Sequence, residues 1–255
     1  MVSKAKHMAE PKAICPMVKI NKIYLGDSYE FIKQIPDNSV DCVYTDIPYL
    51  FESGGSGTSK IAKNIIAKIN SIAFVSQGID YKILDEFVRV MRKINCFIWC
   101  SKLQIVDILN FFVQKHKCRF EILIWAKNNP LPQTNNTWLC DIEYCLYFRE
   151  SGVPLNNGYE LKSKWHISPA NKRDKDLFNH PTIKPLQLVK RHLRHSTQVG
   201  DVVLDPFLGS GTTAVACKEL QRNYIGIEIE QKWHKVAVDR LNNIDARGQI
   251  GFLVR

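Results

Sequence analysis

From Val202 to Asn242 the chain reads as one unbroken unit of alternating strand and helix. Val202 to Asp205 is an apolar strand, Pro206 to Gly211 a tight glycine-rich turn, and Thr213 to Leu220 a helix. Tyr224 to Ile229 follows as a second strand and Trp233 to Asn242 as a second helix. Two strands joined by a helical crossover pair in parallel, and parallel sheets are covered by helices, so this unit commits the chain to an α/β sheet. Such sheets bind ligands just outside the carboxyl ends of their strands, which is where the turn sits. Its glycines let the backbone approach a ligand, and the helix after it opens with free N–H groups. Glu228 ends the next strand, roughly where an acid holds ribose hydroxyls in dinucleotide folds. A phosphate-gripping loop is disfavoured, because Thr212 rather than a lysine follows Gly211. The plain alternative is a strand-to-helix turn with a surface acid.

The rest of the chain continues the alternation. Ile23 to Gly26 reads as a short strand, Ser28 to Ile35 as a helix, and Val40 to Thr45 as a buried strand. Tyr81 to Lys93 carries apolar residues at helical spacing (Ile83, Leu84, Phe87, Val88, Met91). Asn95 to Ser101 is a strand, Leu103 to His116 an amphipathic helix, and Arg119 to Ala126 and Asp141 to Phe148 are strands. Pro185 to His195 is helical, with Pro185 suited to a first turn. Two stretches break the pattern. Residues 51–78 open on Ser53-Gly54-Gly55-Ser56-Gly57 and lack a period, which predicts a mobile loop with a weak helix near Ile61 to Ile69. Residues 151–179 are polar and irregular, the best place for a target-recognition insertion. Residues 1–19 form an N-terminal tail, and 20–255 one domain.

A chain of 255 residues with 45% hydrophobic residues can bury a core. Its formal charge of +10 favours a polyanionic partner. The eight cysteines form no CxxC pair and mostly lie in apolar runs, so neither a zinc site nor a disulfide framework is expected. No apolar run is long enough to span a membrane, and Met1 to Glu10 is too polar for a signal peptide. The expectation is a reduced, cytoplasmic protein with no metal and no membrane partner.

Where the strand Val40 to Thr45 stops, Asp46-Ile47-Pro48-Tyr49 follows. An acid, a proline and an aromatic at a strand's carboxyl end make a rigid holder for something planar and polar. The tetrapeptide resembles the D-P-P-Y motif of the amino-methyltransferases that modify exocyclic amines of DNA bases. Asp205 to Thr213 resembles their S-adenosylmethionine motif, D-P-F-x-G-S-G-T-T, and His180-Pro181-Thr182-Ile183-Lys184-Pro185 resembles their H-P-T-x-K-P element. The tetrapeptide precedes the cofactor motif, as in the beta class, whose chains are circular permutations of the Rossmann-like methyltransferase fold. The resemblance therefore implies that fold: a mainly parallel sheet with helices on both faces.

It also implies roles. Phe207, Gly209, Ser210 and Thr212 would line S-adenosylmethionine within the motif that Asp205 and Gly211 complete, and Glu228 would hold its ribose. Lys184, with Thr182 nearby, would face the methionine carboxylate, and Asp27 would bond the adenine amine. Asp27 has the alternative role of a helix N-cap beside Ser28, and Lys184 that of a solvated charge. Asp46 and the Ile47 carbonyl would accept the N–H groups of the target amine, after Pro48 fixes the turn, and Tyr49 would stack on a base flipped out of double-stranded DNA. Ile47 replaces the first proline of the family motif. Adenine N6 is favoured over cytosine N4, because the cytosine members more often carry Ser where Asp46 stands. A catalytically silent DNA-binding protein of the same fold is the rival of another class. Lys60, Lys63, Lys68, Lys162, Lys164, Lys172, Arg173 and Lys175 suit a DNA face or an ordinary solvated surface. Asn128, Asn129, Gln133, Asn135 and Asn136 suit base edges or a plain loop. The sequence leaves a homodimer and a restriction endonuclease partner open.

Overall fold

The computed structural model describes residues 18–50, 78–130, 138–156, 158, 162–170 and 183–243. Among these residues, eight strands form one sheet: β1 (Lys22–Leu25), β2 (Cys42–Asp46), β3 (Asn95–Cys100), β4 (Arg119–Lys127), β5 (Ile142–Arg149), β6 (Trp165–Ser168), β7 (Val202–Asp205) and β8 (Asn223–Glu228). Their spatial order is β1-β8-β7-β2-β3-β5-β4-β6. Only β5 runs antiparallel to its neighbours. The helices are α1 (Ser28–Phe31), α2 (Ile83–Val90), α3 (Ile105–Leu109), α4 (Leu186–Ser196), α5 (Thr212–Glu219) and α6 (Gln231–Asn242).

The period-two alternation of the strands decides which residues meet which helix. Val43 of β2, Cys96 and Ile98 of β3 and Leu204 of β7 point to one face and pack with Ile83, Leu84 and Phe87 of α2 and Ile108 after them. Cys42 and Tyr44 of β2, Phe97 and Trp99 of β3 and Val203 of β7 point to the other and pack with Leu188 and Leu193 of α4 and Cys217 of α5. Every residue of β3 is buried, because helices cover both its faces. Residues of α5 from Thr212 to Cys217 are all buried and none is larger than valine, which lets the helix lie close to the sheet.

The crossover from β2 to β3 passes through α2 on one face, and the crossover from β7 to β8 through α5 on the other. The two connections depart in opposite directions, as right-handed crossovers on opposite faces require. A crevice therefore opens between the carboxyl ends of β7 and β2, the topological switch point where ligands of open sheets bind.

Three expectations need correction. The helix predicted over Leu103 to His116 keeps α geometry only to Leu109 and widens into π turns over Asn110–Lys115. Within 151–179, the part described contains a strand, β6, paired in parallel with β4 at Ile124↔Trp165 and Ala126↔Ile167. Its Trp165 and Ile167 are exposed, so the burial pattern that marks a strand in sequence is missing there. The helix expected over Ser28 to Ile35 is α-helical only to Phe31 and tightens into a 3-10 turn over Ile32–Gln34; the other described strands and helices lie within one to three residues of where the periodicity puts them. Residues 51–77, including Lys60, Lys63 and Lys68, lie outside the described residues. So do Gln133, Asn135, Asn136, Lys172, Arg173, Lys175 and the His180-Pro181-Thr182 part of the third motif.

Candidate active site

One half of the crevice is built on β1, β7 and β8. After β7 the chain turns through Pro206 to Gly211, and both Gly209 (φ 55°) and Gly211 (φ 84°) adopt left-handed backbone that favours glycine. Gly211 has a second constraint: a Cβ there would sit 2.8 Å from Ala237 Cβ and 3.0 Å from its Cα. The turn is held from three sides. The Gly209 N–H donates to Glu228 Oε2 (2.7 Å), and the Glu230 N–H donates to Glu228 Oε1 (2.8 Å). The Phe207 N–H donates to Asp205 Oδ1 (3.2 Å), and the Ser28 hydroxyl donates to the Pro206 carbonyl. Behind the turn, the Arg240 guanidinium donates to the Ser210 carbonyl (2.6 Å), the Ser210 hydroxyl (3.0 Å) and the Thr212 hydroxyl (3.2 Å).

These contacts sort the residues implied as cofactor ligands. Ser210 and Thr212 turn their hydroxyls to Arg240 and accept from it, so their side chains help to organise the turn. Asp205 is buried, and burial raises its carboxyl to about 7. It braces the turn and has little surface to offer a ligand. Glu228 is buried too, which raises its pKa, although the Glu230 and Gly209 N–H groups oppose the rise. Asp27 caps α1 through the Tyr29 N–H (2.8 Å), the plainer of its two roles, yet its residue remains exposed beside β8, where the Gly26 N–H donates to the Glu228 carbonyl (2.9 Å). Phe207 and Tyr29 meet edge to face, ring centroids 6.3 Å apart. Carboxylates for an amine and for ribose hydroxyls, beside aromatic faces and a glycine turn, are a donor set that fits an adenosine cofactor. Asp27, Phe207, Glu228 and the backbone of 209–212 are the residues that would hold it.

The other half lies on β2, β3 and β5. Ile47 is 1% exposed, with its side chain in the core beside α2, which explains why an aliphatic residue is accommodated in place of a proline. Its N–H donates to the Trp99 carbonyl (3.2 Å), and Gln104 Nε2 donates to the Pro48 carbonyl (2.9 Å). Gln104 is wholly buried and accepts from the Ser101 N–H and hydroxyl, so the tetrapeptide is clamped to the end of β3.

Asp46 is held by Lys184 and Tyr49. Lys184 Nζ donates to its Oδ2 at 2.5 Å, while Oδ1 is buried and has no hydrogen-bond partner. Lys184 is itself buried, 2.9 Å from Glu143 Oε2, 3.3 Å from the Tyr49 hydroxyl, and 5.1 Å from the centre of the Trp99 ring. Glu143 is paired again with Lys127 (2.6 Å) and accepts from Tyr49 Oη (3.4 Å). Burial raises the Asp46 pKa against the pull of Lys184. Burial would also raise Glu143, but Lys184 and Lys127 outweigh it and hold this carboxyl at about 2. Lys184 goes the opposite way to an isolated buried amine: desolvation lowers it, and the two carboxylates more than offset that.

Lys184, expected to face the methionine carboxylate, stands with Asp46, Tyr49 and Glu143. Four residues of the site carry no motif signal: Glu143, Lys127, Gln104 and Arg240. Glu143 had one faint mark, a charge near the start of the largely apolar and aromatic run Ile142 to Phe148. Asn129 is bonded to Ala170, its side-chain oxygen accepting the Ala170 N–H (2.7 Å).

A family model described as DNA methylase, of the N6 and N4 type, matches residues 40–239, which include both Asp46–Tyr49 and Asp205–Thr213. The chain belongs to the DNA methylase family. Its reaction is methylation of DNA with S-adenosylmethionine as donor. The methylase is 29% identical over 252 residues to Type II methyltransferase M2.DpnII of Streptococcus pneumoniae, covering 89% of this chain and 92% of the relative. It is 30% identical over 238 residues to M2.LlaDCHI of Lactococcus lactis subsp. cremoris, covering 85% and 87%. Among solved structures it resembles the M1.HpyAVI–SAM complex, with a TM-score of 0.66, 28% identity, and 87% and 98% of the two chains covered. The cytosine-N4-specific PvuII methyltransferase shares the fold at a TM-score of 0.63 and 16% identity, covering 88% and 87%. Among the described residues of the methylase, no helix is long and apolar enough to cross a membrane.

Proposed function

We propose that this methylase transfers a methyl group to N6 of adenine in double-stranded DNA, with Asp46 receiving the target amine. The observation that carries the reading is the free, buried Oδ1 of Asp46 at the switch point, beside an oxygen already neutralised by Lys184. The exocyclic amine is a poor nucleophile because its lone pair is delocalised into the ring. An N–H held on Asp46 Oδ1, and a second on the Ile47 carbonyl, would orient that lone pair towards the donor. S-adenosylmethionine supplies an electrophilic methyl group whose bond to sulfur breaks with the electron pair left on sulfur. As the N–C bond forms, one amine proton passes to Asp46 and on to solvent, and burial of Asp46 makes it a better acceptor.

Asp27, Phe207, Glu228 and the turn at Gly209 and Gly211 would position the donor. Tyr49 would stack on the extruded base, with residues 151–179 reading the flanking sequence. Asp46 in place of a serine favours adenine over cytosine N4. The Type II names of the relatives favour a restriction endonuclease counterpart and a cytoplasmic setting; a homodimer would show in sedimentation at micromolar protein.

The test is to incubate unmethylated DNA with the protein and S-adenosylmethionine, digest it, and separate the nucleosides. N6-methyladenine is the expected product. N4-methylcytosine would transfer the reading to the other base, and neither product from folded, cofactor-bound protein would overturn it. Asp46→Ala should retain cofactor binding and lose at least ~100-fold in turnover, the usual scale for removing one preorganised polar group from a reacting centre. Undiminished turnover would remove Asp46 from the mechanism.

A further inference from the structure

Lys127, Glu143, Lys184 and Asp46 form a chain of alternating charge that runs from β4 across β5 to the end of β2. Its links are 2.6, 2.9 and 2.5 Å, with side chains 19%, 19%, 8% and 30% exposed in that order. Gathering four charges in this little water is poorly repaid in stability, because desolvation consumes most of the Coulombic gain. What the arrangement does supply is geometry. Lys184 Nζ has three protons; it donates to Asp46 Oδ2 and the Tyr49 hydroxyl and is ion-paired with Glu143 Oε2 at 2.9 Å. An ammonium anchored this way can pull on only one oxygen of Asp46. The other is kept out of the pair and left, buried, without a hydrogen-bond partner.

We propose that Glu143, braced by Lys127, is a positioning residue for methyl transfer: it holds the Lys184 ammonium on Asp46 Oδ2 so that Oδ1 stays available to the target amine. The proposal rests on the reading of Asp46 as the amine acceptor. Without Glu143, the Lys184 ammonium is free to straddle both oxygens of Asp46 and so compete with the substrate N–H. Glu143 lies on a strand apart from the cofactor turn, so donor binding does not depend on it.

The experiment uses the full chain, unmethylated bulk DNA and radiolabelled S-adenosylmethionine under single turnover. Glu143→Gln should fold, bind S-adenosylmethionine within about twofold of the parent, and lose about 10–100-fold in methyl-transfer rate, the range seen when partners that orient a reacting group are removed. Glu143 acts through Lys184, so Glu143→Gln combined with Lys184→Met should be no slower than Lys184→Met alone. A rate for Glu143→Gln within twofold of the parent, or losses that multiply in the double variant, overturns the proposal. If Glu143→Gln does not fold, Lys127→Gln decides: a several-fold loss in rate at unchanged cofactor affinity supports it, and an unchanged rate overturns it. Asp46→Ala run alongside separates the two readings. If Asp46→Ala keeps its rate, the acceptor assignment itself fails; if it is inactive while Glu143→Gln is unimpaired, only the positioning role does.

Discussion

Asp205→Asn should make the protein more stable, and more so as pH rises. Asp205 is buried at the end of β7, and burial lifts its carboxyl from 3.8 to about 7. The folded protein then keeps a proton that the unfolded chain has released, so stability is lost as pH climbs from about 3.8 through about 7. Between pH 5.5 and pH 8.5 the carboxyl crosses roughly the last 1.5 pH units of that window, worth about 2 kcal/mol at about 1.4 kcal/mol per unit. Asparagine has nearly the same shape, keeps an oxygen to accept the Phe207 N–H and carries no titrating proton. Its advantage over the parent should therefore be about 2 kcal/mol larger at pH 8.5 than at pH 5.5. For a chain of this size that is a difference of about 4–8 °C in Tm. The assay is thermal unfolding of both proteins at the two pH values, at equal protein concentration and without cofactor. An equal Tm shift at both pH values would refute the reasoning, as would a variant less stable than the parent at pH 8.5. S-adenosylmethionine affinity, measured in parallel, should change little, since Asp205 braces the turn from within.

Gly211→Ala should destabilise by about 2–5 kcal/mol, from left-handed strain of about 1–2 kcal/mol and overpacking against Ala237 of about 1–3 kcal/mol. A melting temperature lowered by less than ~2 °C would contradict it. Arg240→Met removes the donors to the Ser210 carbonyl and to two hydroxyls, leaving buried acceptors unpaired at a cost of about 1–3 kcal/mol each at most. It should lower Tm and weaken S-adenosylmethionine binding several-fold, and Arg240→Lys should not restore either, because an ammonium lacks the planar fork. Calorimetric titration of the three proteins would check this, and unchanged affinity in both variants would contradict it.

The alternation of elements was legible because burial imposes a period on the residues that undergo it. β2, β3, β7 and β8 are buried and were found, and so was the longer, half-exposed β4; β6, four residues long and exposed at Trp165 and Ile167, was not. The widening of the helix at Asn110 was equally invisible, since π and α turns share most of their apolar spacing. At the site, motif residues were found wherever local backbone demands them: Gly209 and Gly211 for positive φ, Pro48 for a fixed turn. Their partners come from distant strands and helices, so no local pattern announces them.

By itself, the sequence determined an α/β sheet, the order of its elements, and the two short segments, Asp46–Tyr49 and Asp205–Thr213, that end neighbouring strands and carry the chemistry. These are local matters of periodicity, turn geometry and residue type. Only the tertiary structure decided which side chains those segments face. It set Ser210 and Thr212 on Arg240, withdrew Asp205 into the interior, and placed Lys184, 138 residues along the chain from Asp46, on that carboxylate in company with Glu143. Charge pairing at 3 Å depends on how strands order themselves in space, and that order follows from handed crossovers and core packing rather than from any neighbouring residue.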